Sequence, residues 1–262
     1  MAIRVGVFGA VGRMGTAVCR AVFAAPDVEL VAAVDPHHAG IDLRQANGVD
    51  ADIPVVSGTD AIDPSSVDVM VDFTQLEASR ANLAWCAGNA VHAVVGTTGF
   101  TTDDLARFEA TFTQSNCLIA PNFAIGAVLM MRFAELAAPW FETAEIIELH
   151  HDGKVDAPSG TAMMTVERMA AASSNWAPDP TTKEVLPGAR GAKGPAEIPV
   201  HSVRLRGLVA HQEVLLGTAG QSLTIRHDSY DRESFMPGVL LAVREVPALP
   251  GVTFGLDALL DL

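Results

Sequence analysis

Short apolar runs alternate with segments of helical periodicity over the first half of the chain. The apolar runs, which are flanked by glycine, proline or polar residues, predict strands at residues 3–8, 29–34, 67–73, 91–95 and 117–120. The intervening segments predict helices at residues 12–25, 75–87 and 102–114. Strands that alternate with helices form right-handed βαβ units, so this half predicts an α/β fold with a doubly wound parallel sheet.

The pattern changes after Asn122. Helices are predicted at residues 125–141, 161–172 and 232–246, and strands at residues 144–150, 200–206, 209–216 and 222–227. Residues 175–199, rich in proline, glycine and threonine, predict a long loop. Three strands in close succession indicate a mixed or antiparallel sheet, so a second domain of the α+β type is predicted at residues 124–230. The first domain then comprises residues 1–123 and 231–262.

The composition narrows the range of partners. Apolar residues make up 49% of the 262 residues, and the formal net charge is −14. A chain this acidic is not expected to bind nucleic acid or an anionic membrane, because both attract basic surfaces. Any anionic ligand must instead find a local group of positive charges.

Cysteine usage and the start of the chain indicate the compartment. Cys19, Cys86 and Cys117 lie far apart and show neither disulfide nor zinc spacing, which is typical of small buried residues in a reducing cytosol. The sequence opens directly with a strand rather than a leader peptide, and no apolar stretch reaches the roughly 18 residues of a membrane span. We therefore expect a cytoplasmic protein.

A glycine-rich turn joins the first predicted strand to the first helix. Gly9, Gly12 and Gly15 have the spacing G-x-x-G-x-x-G, a variant of the dinucleotide-binding pattern. Glycine lets the backbone approach a pyrophosphate, and the helix N-terminus offers amide N–H groups to it. Asp35 ends the second strand, where an acid accepts hydrogen bonds from an adenosine ribose. This order predicts a Rossmann domain that binds NADH or NADPH.

The choice between the two cofactors stays open. Asp35 favours the free 2′-hydroxyl of NADH, whereas Arg13, His37 and His38 favour the 2′-phosphate of NADPH. We therefore expect tolerance of both.

Two further turns follow predicted strands on the ligand side of the sheet. Residues 72–74 (Asp-Phe-Thr) and 96–100 (Gly-Thr-Thr-Gly-Phe) offer small side chains and hydroxyls beside which a nicotinamide ring fits. Another interpretation is that Thr74 and Thr101 cap the helices that follow, with Asp72 in a structural role.

The most unusual stretch runs from Glu148 to Thr161. His150, His151 and Lys154 gather positive charge at a predicted strand end, and Ser-Gly-Thr at residues 159–161 opens a helix whose amide groups favour anions. This combination predicts a site for a small dicarboxylate, with imidazole for proton transfer near neutral pH.

Two other interpretations of this stretch stay open on spacing alone. The first is a solvated His-His turn beside a capped helix. The second is a metal site, since Glu148 and His150 share one strand face. Two ligands are few, however, and Lys154 would repel a cation, so no metal is predicted.

The same stretch resembles the signature of the 4-hydroxy-tetrahydrodipicolinate reductase (dihydrodipicolinate reductase) family. The match Glu148-Leu-His-His-Asp-Gly-Lys-Val-Asp-Ala-Pro-Ser-Gly-Thr161 is the most specific one, and residues 9–15, 96–100 and 120–123 resemble the family's other motifs in the same order. The resemblance implies a Rossmann domain plus a mixed-sheet domain that binds substrate and builds a homotetramer. It also implies NADH- or NADPH-dependent reduction of the dicarboxylate made by dihydrodipicolinate synthase, with loss of water, in lysine biosynthesis.

The resemblance further implies roles for individual residues. His150 and Lys154 would be the proton-transferring groups. The substrate carboxylates would be held by His151, Ser159, Gly160 and Thr161. The dinucleotide would be lined by Gly9, Ala10, Val11, Gly12, Arg13, Met14, Asp35, Gly96, Thr97, Thr98, Ala120, Pro121, Asn122 and Phe123. The acid Asp35 is followed by Pro-His-His where some members carry arginine, which leaves the cofactor preference open.

Two other classes of protein fit parts of the sequence. An amino-acid or semialdehyde dehydrogenase would need a different catalytic group, often a reactive cysteine, whereas Cys86 and Cys117 lie in core-like segments. A non-catalytic NAD-sensing regulator would need a DNA-binding or partner-binding element, and no basic helix is apparent in the sequence.

Overall fold

The computed structural model describes residues 2–260, so residues 1, 261 and 262 of the predicted first domain lie outside the described residues. Its strands, in chain order, are β1 (Ile3–Phe8), β2 (Val28–Val34), β3 (Val55–Val56), β4 (Val69–Asp72), β5 (His92–Val95), β6 (Cys117–Ile119), β7 (Thr143–His150), β8 (Ala192–Lys193), β9 (Pro199–Arg204), β10 (Ala210–Thr218), β11 (Gln221–Ser229) and β12 (Val252–Phe254). Its α-helices are α1 (Arg13–Ala24), α2 (Leu43–Asn47), α3 (Leu76–Gly88), α4 (Thr102–Thr111), α5 (Ile125–Ala137), α6 (Gly160–Ala172) and α7 (Met236–Glu245).

The chain forms two compact units. Unit 1 comprises the chain up to Ala124 together with the chain from Arg232 onwards, and unit 2 comprises Ile125–Asp231. Within the part of the chain that the structure describes, no helix has both the length and the apolar character needed to cross a membrane.

Unit 1 contains a seven-stranded parallel sheet in the order β12-β6-β5-β4-β1-β2-β3. Its central strands are almost entirely apolar, with Val5 and Val7 of β1 and Val69 and Val71 of β4 buried, because such strands are covered on both sides. The predicted doubly wound α/β fold is confirmed. The pairing of β12 with β6 joins segments far apart in the sequence, and the apolar pattern did not predict it.

The carboxyl ends of the central strands align across this sheet. Phe8 of β1 pairs with Val34 of β2 and with Asp72 of β4, Asp72 pairs with Val95 of β5, and Val95 pairs with Ile119 of β6. The turns that follow these five strands therefore leave from one edge of the sheet, where doubly wound folds bind ligands.

Unit 2 contains a mixed five-stranded sheet in the order β11-β10-β7-β9-β8. Strand β7 runs antiparallel to β10 and parallel to β9, and β10 forms a hairpin with β11. Ile146 and Val214 of the sheet are buried, as are Val166 and Met169 of α6, which packs on β7. The predicted mixed sheet in an α+β domain is confirmed.

Proline shortens two of the predicted helices. The helix predicted at residues 125–141 ends at Ala137 and continues as a 3₁₀ turn, Ala138–Trp140, that contains Pro139. The helix predicted at residues 232–246 begins as a 3₁₀ turn, Arg232–Phe235, and Pro237 lies in the first turn of α7. Proline lacks the N–H that an α-helix interior needs but is tolerated in a first turn.

Candidate active site

The glycine-rich turn after β1 has the shape that a dinucleotide pyrophosphate requires. Gly9 has a φ of +65°, a region that favours glycine. A Cβ on Gly15 would lie 2.0 Å from the carbonyl oxygen of Gly9, so only glycine lets α1 pack this closely against the turn. Gly12 is the N-cap of α1, and no described side chain caps that helix. Its first-turn amides therefore suit an anion, and the residues present fit the dinucleotide.

Asp35, directly after β2, connects this turn to the next loop. Its buried carboxylate accepts hydrogen bonds from the backbone N–H of Val11 (3.3 Å) and of His37 (3.0 Å), and it lies 3.0 Å from Nδ1 of His38. The structure therefore brings the predicted ribose-binding acid together with the glycine-rich turn and with both histidines.

Asp72, at the end of β4, organises the two neighbouring turns. Its carboxylate accepts hydrogen bonds from the N–H of Thr74 (2.8 Å), the hydroxyl of Thr74 (2.7 Å) and the amide of Asn82 (2.8 Å). The hydroxyl of Thr97 lies 3.1 Å from the same carboxylate and 2.9 Å from the carbonyl of Thr74. Asp72 thus has the structural role that the sequence left open.

The remaining predicted cofactor residues lie in the turns after β5 and β6. Gly96 packs so closely against Phe73 that a Cβ would lie 2.0 Å from the ring, and the Phe73 ring centroid lies 5.4 Å from that of Phe123. Thr101 caps α4 through a capping box, as one interpretation of the sequence predicted, whereas Thr74 caps no helix. All the predicted cofactor residues therefore follow strands that end at one edge of the sheet, and their contacts with a dinucleotide stay predictions.

In unit 2, Glu148 of β7 lies at the centre of the candidate catalytic cluster. Its side chain is 0% exposed, and Arg204 of β9 donates two hydrogen bonds to it, at 2.8 and 2.9 Å. The backbone N–H of Ser159 donates a third, at 3.2 Å. Burial raises the pKa of Glu148, but hydrogen bonds from Arg204, Ser202 and His150 lower it further, so the net pKa lies below the ordinary value. The buried carboxylate is therefore ionised.

His150, the last residue of β7, contacts this carboxylate, which affects the pKa of its imidazole. Its Nδ1 lies 2.5 Å from Oε2 of Glu148. Burial lowers the pKa of His150, the Glu148 carboxylate raises it, and the charges of Lys154 and Arg204 lower it, for a net pKa below the usual value. The imidazole is therefore mostly neutral at pH 7 and is able to exchange a proton.

Lys154 lies in the turn after β7, 2.8 Å from both carboxylate oxygens of Asp156. The ammonium holds the pKa of Asp156 below its usual range. Ser159 is the N-cap of α6, and its hydroxyl accepts the backbone N–H of Ala162 at 3.2 Å. Gly160 and Thr161 form the first turn of α6, so the predicted substrate residues gather around β7, its turn and this helix start.

His151 is exposed, and its backbone pairs with Val209 and Lys154. Both oxygens of Glu148 accept hydrogen bonds from protein donors. Across residues 2–260, no group of three or more His, Cys, Asp or Glu side chains is arranged to hold a metal ion.

The cysteines do not suit nucleophilic catalysis. Cys19, Cys86 and Cys117 are buried, and burial raises the pKa of each thiol above its ordinary value. A reactive cysteine needs the opposite environment, one that favours the thiolate.

Sequence reasoning missed Arg204 altogether and considered Glu148 only as a metal ligand. The local motif contains Glu148, but Arg204 lies 56 residues further along the chain. Only the parallel pairing of β9 with β7 places Arg204 beside His150.

A glycine-rich turn on a parallel sheet, together with an acid–base cluster in a second unit, defines a two-unit oxidoreductase of the Rossmann class. The family profile "Dihydrodipicolinate reductase, N-terminus" matches residues 3–123, and "Dihydrodipicolinate reductase, C-terminus" matches residues 126–260. The chain belongs to the dihydrodipicolinate reductase family.

Individual relatives agree over the whole chain. The 4-hydroxy-tetrahydrodipicolinate reductase of Cutibacterium acnes is 53% identical over 99% of both chains, and that of Nocardia farcinica is 51% identical over 100% of both. The solved dihydrodipicolinate reductase of Paenisporosarcina sp. TG-14, with dipicolinate bound, is 42% identical. It superposes with a TM-score of 0.86 over 98% of this chain and 99% of that chain.

Proposed function

We propose that the chain reduces 4-hydroxy-tetrahydrodipicolinate to tetrahydrodipicolinate, with loss of water, using NADH or NADPH in the diaminopimelate pathway to lysine. The observation that carries the proposal is the cluster at the end of β7, where His150 lies on the buried Glu148 carboxylate beside Lys154 and the start of α6. Family membership over both units supports the same reaction.

The two units take different parts. We assign dinucleotide binding to the domain at residues 1–123 and 231–262, because its glycine-rich turn, Asp35 and the turns after β5 and β6 leave one sheet edge. Substrate binding falls to the domain at residues 124–230. The bound dinucleotide supplies a hydride.

The substrate side requires recognition of two carboxylates. Lys154 contributes a positive charge, and the first turn of α6 contributes amide N–H groups beside the N-cap Ser159. His151, Gly160 and Thr161 complete the proposed set. The dipicolinate bound to the Paenisporosarcina relative is also a ring with two carboxylates, which supports this ligand class here. A chain of net charge −14 repels a dianion overall, so we assign the local attraction to Lys154 and to the amide groups at the start of α6.

The chemistry assigns a proton transfer to His150. Loss of water from the substrate gives a C=C bond conjugated with the ring C=N bond. Hydride addition at the ring carbon far from nitrogen gives an enamine-like species, and its neighbouring carbon must then receive a proton. His150 donates that proton, while Lys154 stabilises negative charge and holds a carboxylate.

A coupled assay tests the reaction. Aspartate semialdehyde, pyruvate and dihydrodipicolinate synthase generate the substrate, and dihydronicotinamide absorbance reports its reduction. We expect absorbance to fall only when both the synthase product and this protein are present. Cofactor oxidation at the background rate with that product present would reject the proposed function.

Cofactor choice gives a second prediction. Asp35 favours NADH, whereas the loop of His37 and His38, which contacts that carboxylate through the backbone N–H of His37 and Nδ1 of His38, is the candidate site for a 2′-phosphate. We expect the apparent affinities for NADH and NADPH to differ by less than about 100-fold, roughly 2.7 kcal/mol. Steady-state titration with each cofactor measures the ratio, and a larger gap contradicts the prediction.

Assembly and location complete the proposal. We propose a homotetramer built by unit 2, supported by β11, an edge strand whose residues are mostly exposed. The net charge of −14 supports the lack of nucleic-acid and anionic-membrane partners, and the three free, buried cysteines support a reducing, cytoplasmic location.

A further inference from the structure

A single guanidinium connects the parts of the proposed proton-transfer site. Arg204 donates two hydrogen bonds to the Glu148 carboxylate, at 2.8 and 2.9 Å, and one to the backbone carbonyl of Asp156, at 2.6 Å. A fourth, at 2.8 Å, goes to the carbonyl of Val203. Arg204 thus ties the end of β7 to the turn that carries Lys154.

The Glu148 carboxylate also forms hydrogen bonds with two further groups. Oε2 contacts Nδ1 of His150 at 2.5 Å, and Oε1 accepts the N–H of Ser159 at 3.2 Å. One buried carboxylate therefore fixes both the imidazole at the strand end and the residue that caps α6.

We propose that Arg204 and Glu148 are positioning residues for the proposed reduction, in which Arg204 orients the Glu148 carboxylate, Glu148 selects the proton-exchanging nitrogen of His150, and Arg204 holds the turn of Lys154. This inference rests on the proposed function, because it assigns the residues that support the same acid.

The tautomer follows from the hydrogen-bond chemistry. An ionised carboxylate accepts hydrogen bonds and donates none, so Nδ1 of His150 carries the hydrogen in its bond to Glu148. Nε2 is then the nitrogen that gains or loses a proton. Without the carboxylate, either nitrogen can carry the hydrogen, and the imidazole loses its fixed orientation.

The charged groups around His150 come from three elements. Strand β7 contributes Glu148, β9 contributes Arg204, and the turn after β7 contributes Lys154 and its partner Asp156. Strand β10 places the uncharged Ala210 opposite His150. Glu148 favours the protonated imidazole, while Arg204 and Lys154 disfavour it.

Two substitutions should therefore move the pH profile of kcat/KM in opposite directions. Activity should fall with rising pH as His150 loses its proton. Glu148→Gln removes a negative charge that favours protonated His150, so this alkaline limb should shift to lower pH. Arg204→Met removes a positive charge that disfavours protonated His150, so the limb should shift to higher pH. Each shift should be about one pH unit. A merely structural role would lower activity without opposite shifts.

A conservative variant separates charge from geometry. Arg204→Lys keeps the positive charge, so the limb should stay near its wild-type position. An ammonium cannot reproduce the two-pronged contact together with the bond to Asp156, so kcat should fall by about 10²-fold. Arg206→Met is the matched control, since Arg206 is 92% exposed and its charge is screened. Neither the limb nor kcat should move in that variant.

The outcomes separate this inference from the proposed function. Suppose that His150→Gln is impaired, but that the alkaline limb of the kcat/KM profile does not move in Glu148→Gln and Arg204→Met, or moves in the same direction in both. That result would overturn the positioning roles and leave the proposed reaction intact. If Arg204→Met fails to fold, Glu148→Gln and Arg204→Lys decide the question. A limb that does not move in Glu148→Gln, or wild-type kcat in Arg204→Lys, then overturns the inference. Near-normal turnover in His150→Gln would instead reject the proposed catalytic site itself.

Discussion

His150→Gln is expected to lower turnover by about 10²- to 10⁴-fold, the range typical of losing a general acid. The glutamine amide can still donate a hydrogen bond to Glu148, which accepts one from Nδ1 of His150 at 2.5 Å. Glutamine cannot deliver a proton near neutral pH, so the enamine-like species would wait for a proton from water. Steady-state kinetics in the coupled assay give kcat, and fluorescence titration should show unchanged dinucleotide affinity.

The same sheet offers a matched control. His201 of β9 also pairs with a glutamate, its Nε2 lying 2.6 Å from Glu145, but Glu145 is near the start of β7 and His150 is at its end. His201→Gln should therefore leave turnover within a few-fold of wild type. Near-normal turnover in His150→Gln, or an equal loss in both variants, would contradict the proton-transfer role of His150.

Lys154→Ala is expected to impair both substrate affinity and turnover. A charge-assisted hydrogen bond contributes about 1.5–3 kcal/mol, so KM should rise by about 10- to 100-fold, with a further loss in kcat. In the structure Lys154 pairs with Asp156, whose side chain is 60% exposed, so the substitution should change the free energy of unfolding little. Steady-state kinetics, and competition by dipicolinate as a dicarboxylate probe, measure the effect.

Two further variants test whether the effect of Lys154→Ala comes from the loss of a positive charge at this position. Lys183→Ala removes the same charge from an exposed position in the long loop and should leave both constants unchanged. Lys154→Arg keeps the charge and should recover most of the KM but less of the kcat, because the larger, planar guanidinium cannot take the position of the compact ammonium. Unchanged steady-state constants in Lys154→Ala would rule out the proposed role.

The glycine-rich turn of unit 1 and its acid could be predicted closely because their residues lie near one another in the sequence. Gly9 directly follows β1, Gly12 and Gly15 lie at the start of α1, and Asp35 directly follows β2, so the spacing alone places them near neighbouring strand ends. The turn residues behave differently. Thr101 caps α4 as its position predicts, but the partners of Asp72 include Thr97, 25 residues away, and only the alignment of β4 and β5 brings the two together.

Helix lengths show where an apolar pattern misleads. The apolar residues continue past Ala137, and the pattern predicts one helix to residue 141, but Pro139 converts its end to a 3₁₀ turn. The short strand β12 shows the opposite limit, because three residues are too few to give a periodic apolar pattern, and only their pairing with β6 identifies them as a strand.

The sequence by itself determined which chemical groups this protein has available. The glycine spacing, the acid after β2 and the run from His150 to Thr161 are each contiguous, so local geometry alone predicts a dinucleotide turn and an anion-binding helix start. Only the tertiary structure decided how those groups are held. The register of β7 against β9 places Arg204 beside His150. Burial raises the pKa of Glu148, and the hydrogen bonds from Arg204 help to keep the carboxylate ionised. Strand pairing and burial are properties of residues that meet in space, and spacing along the chain does not encode them.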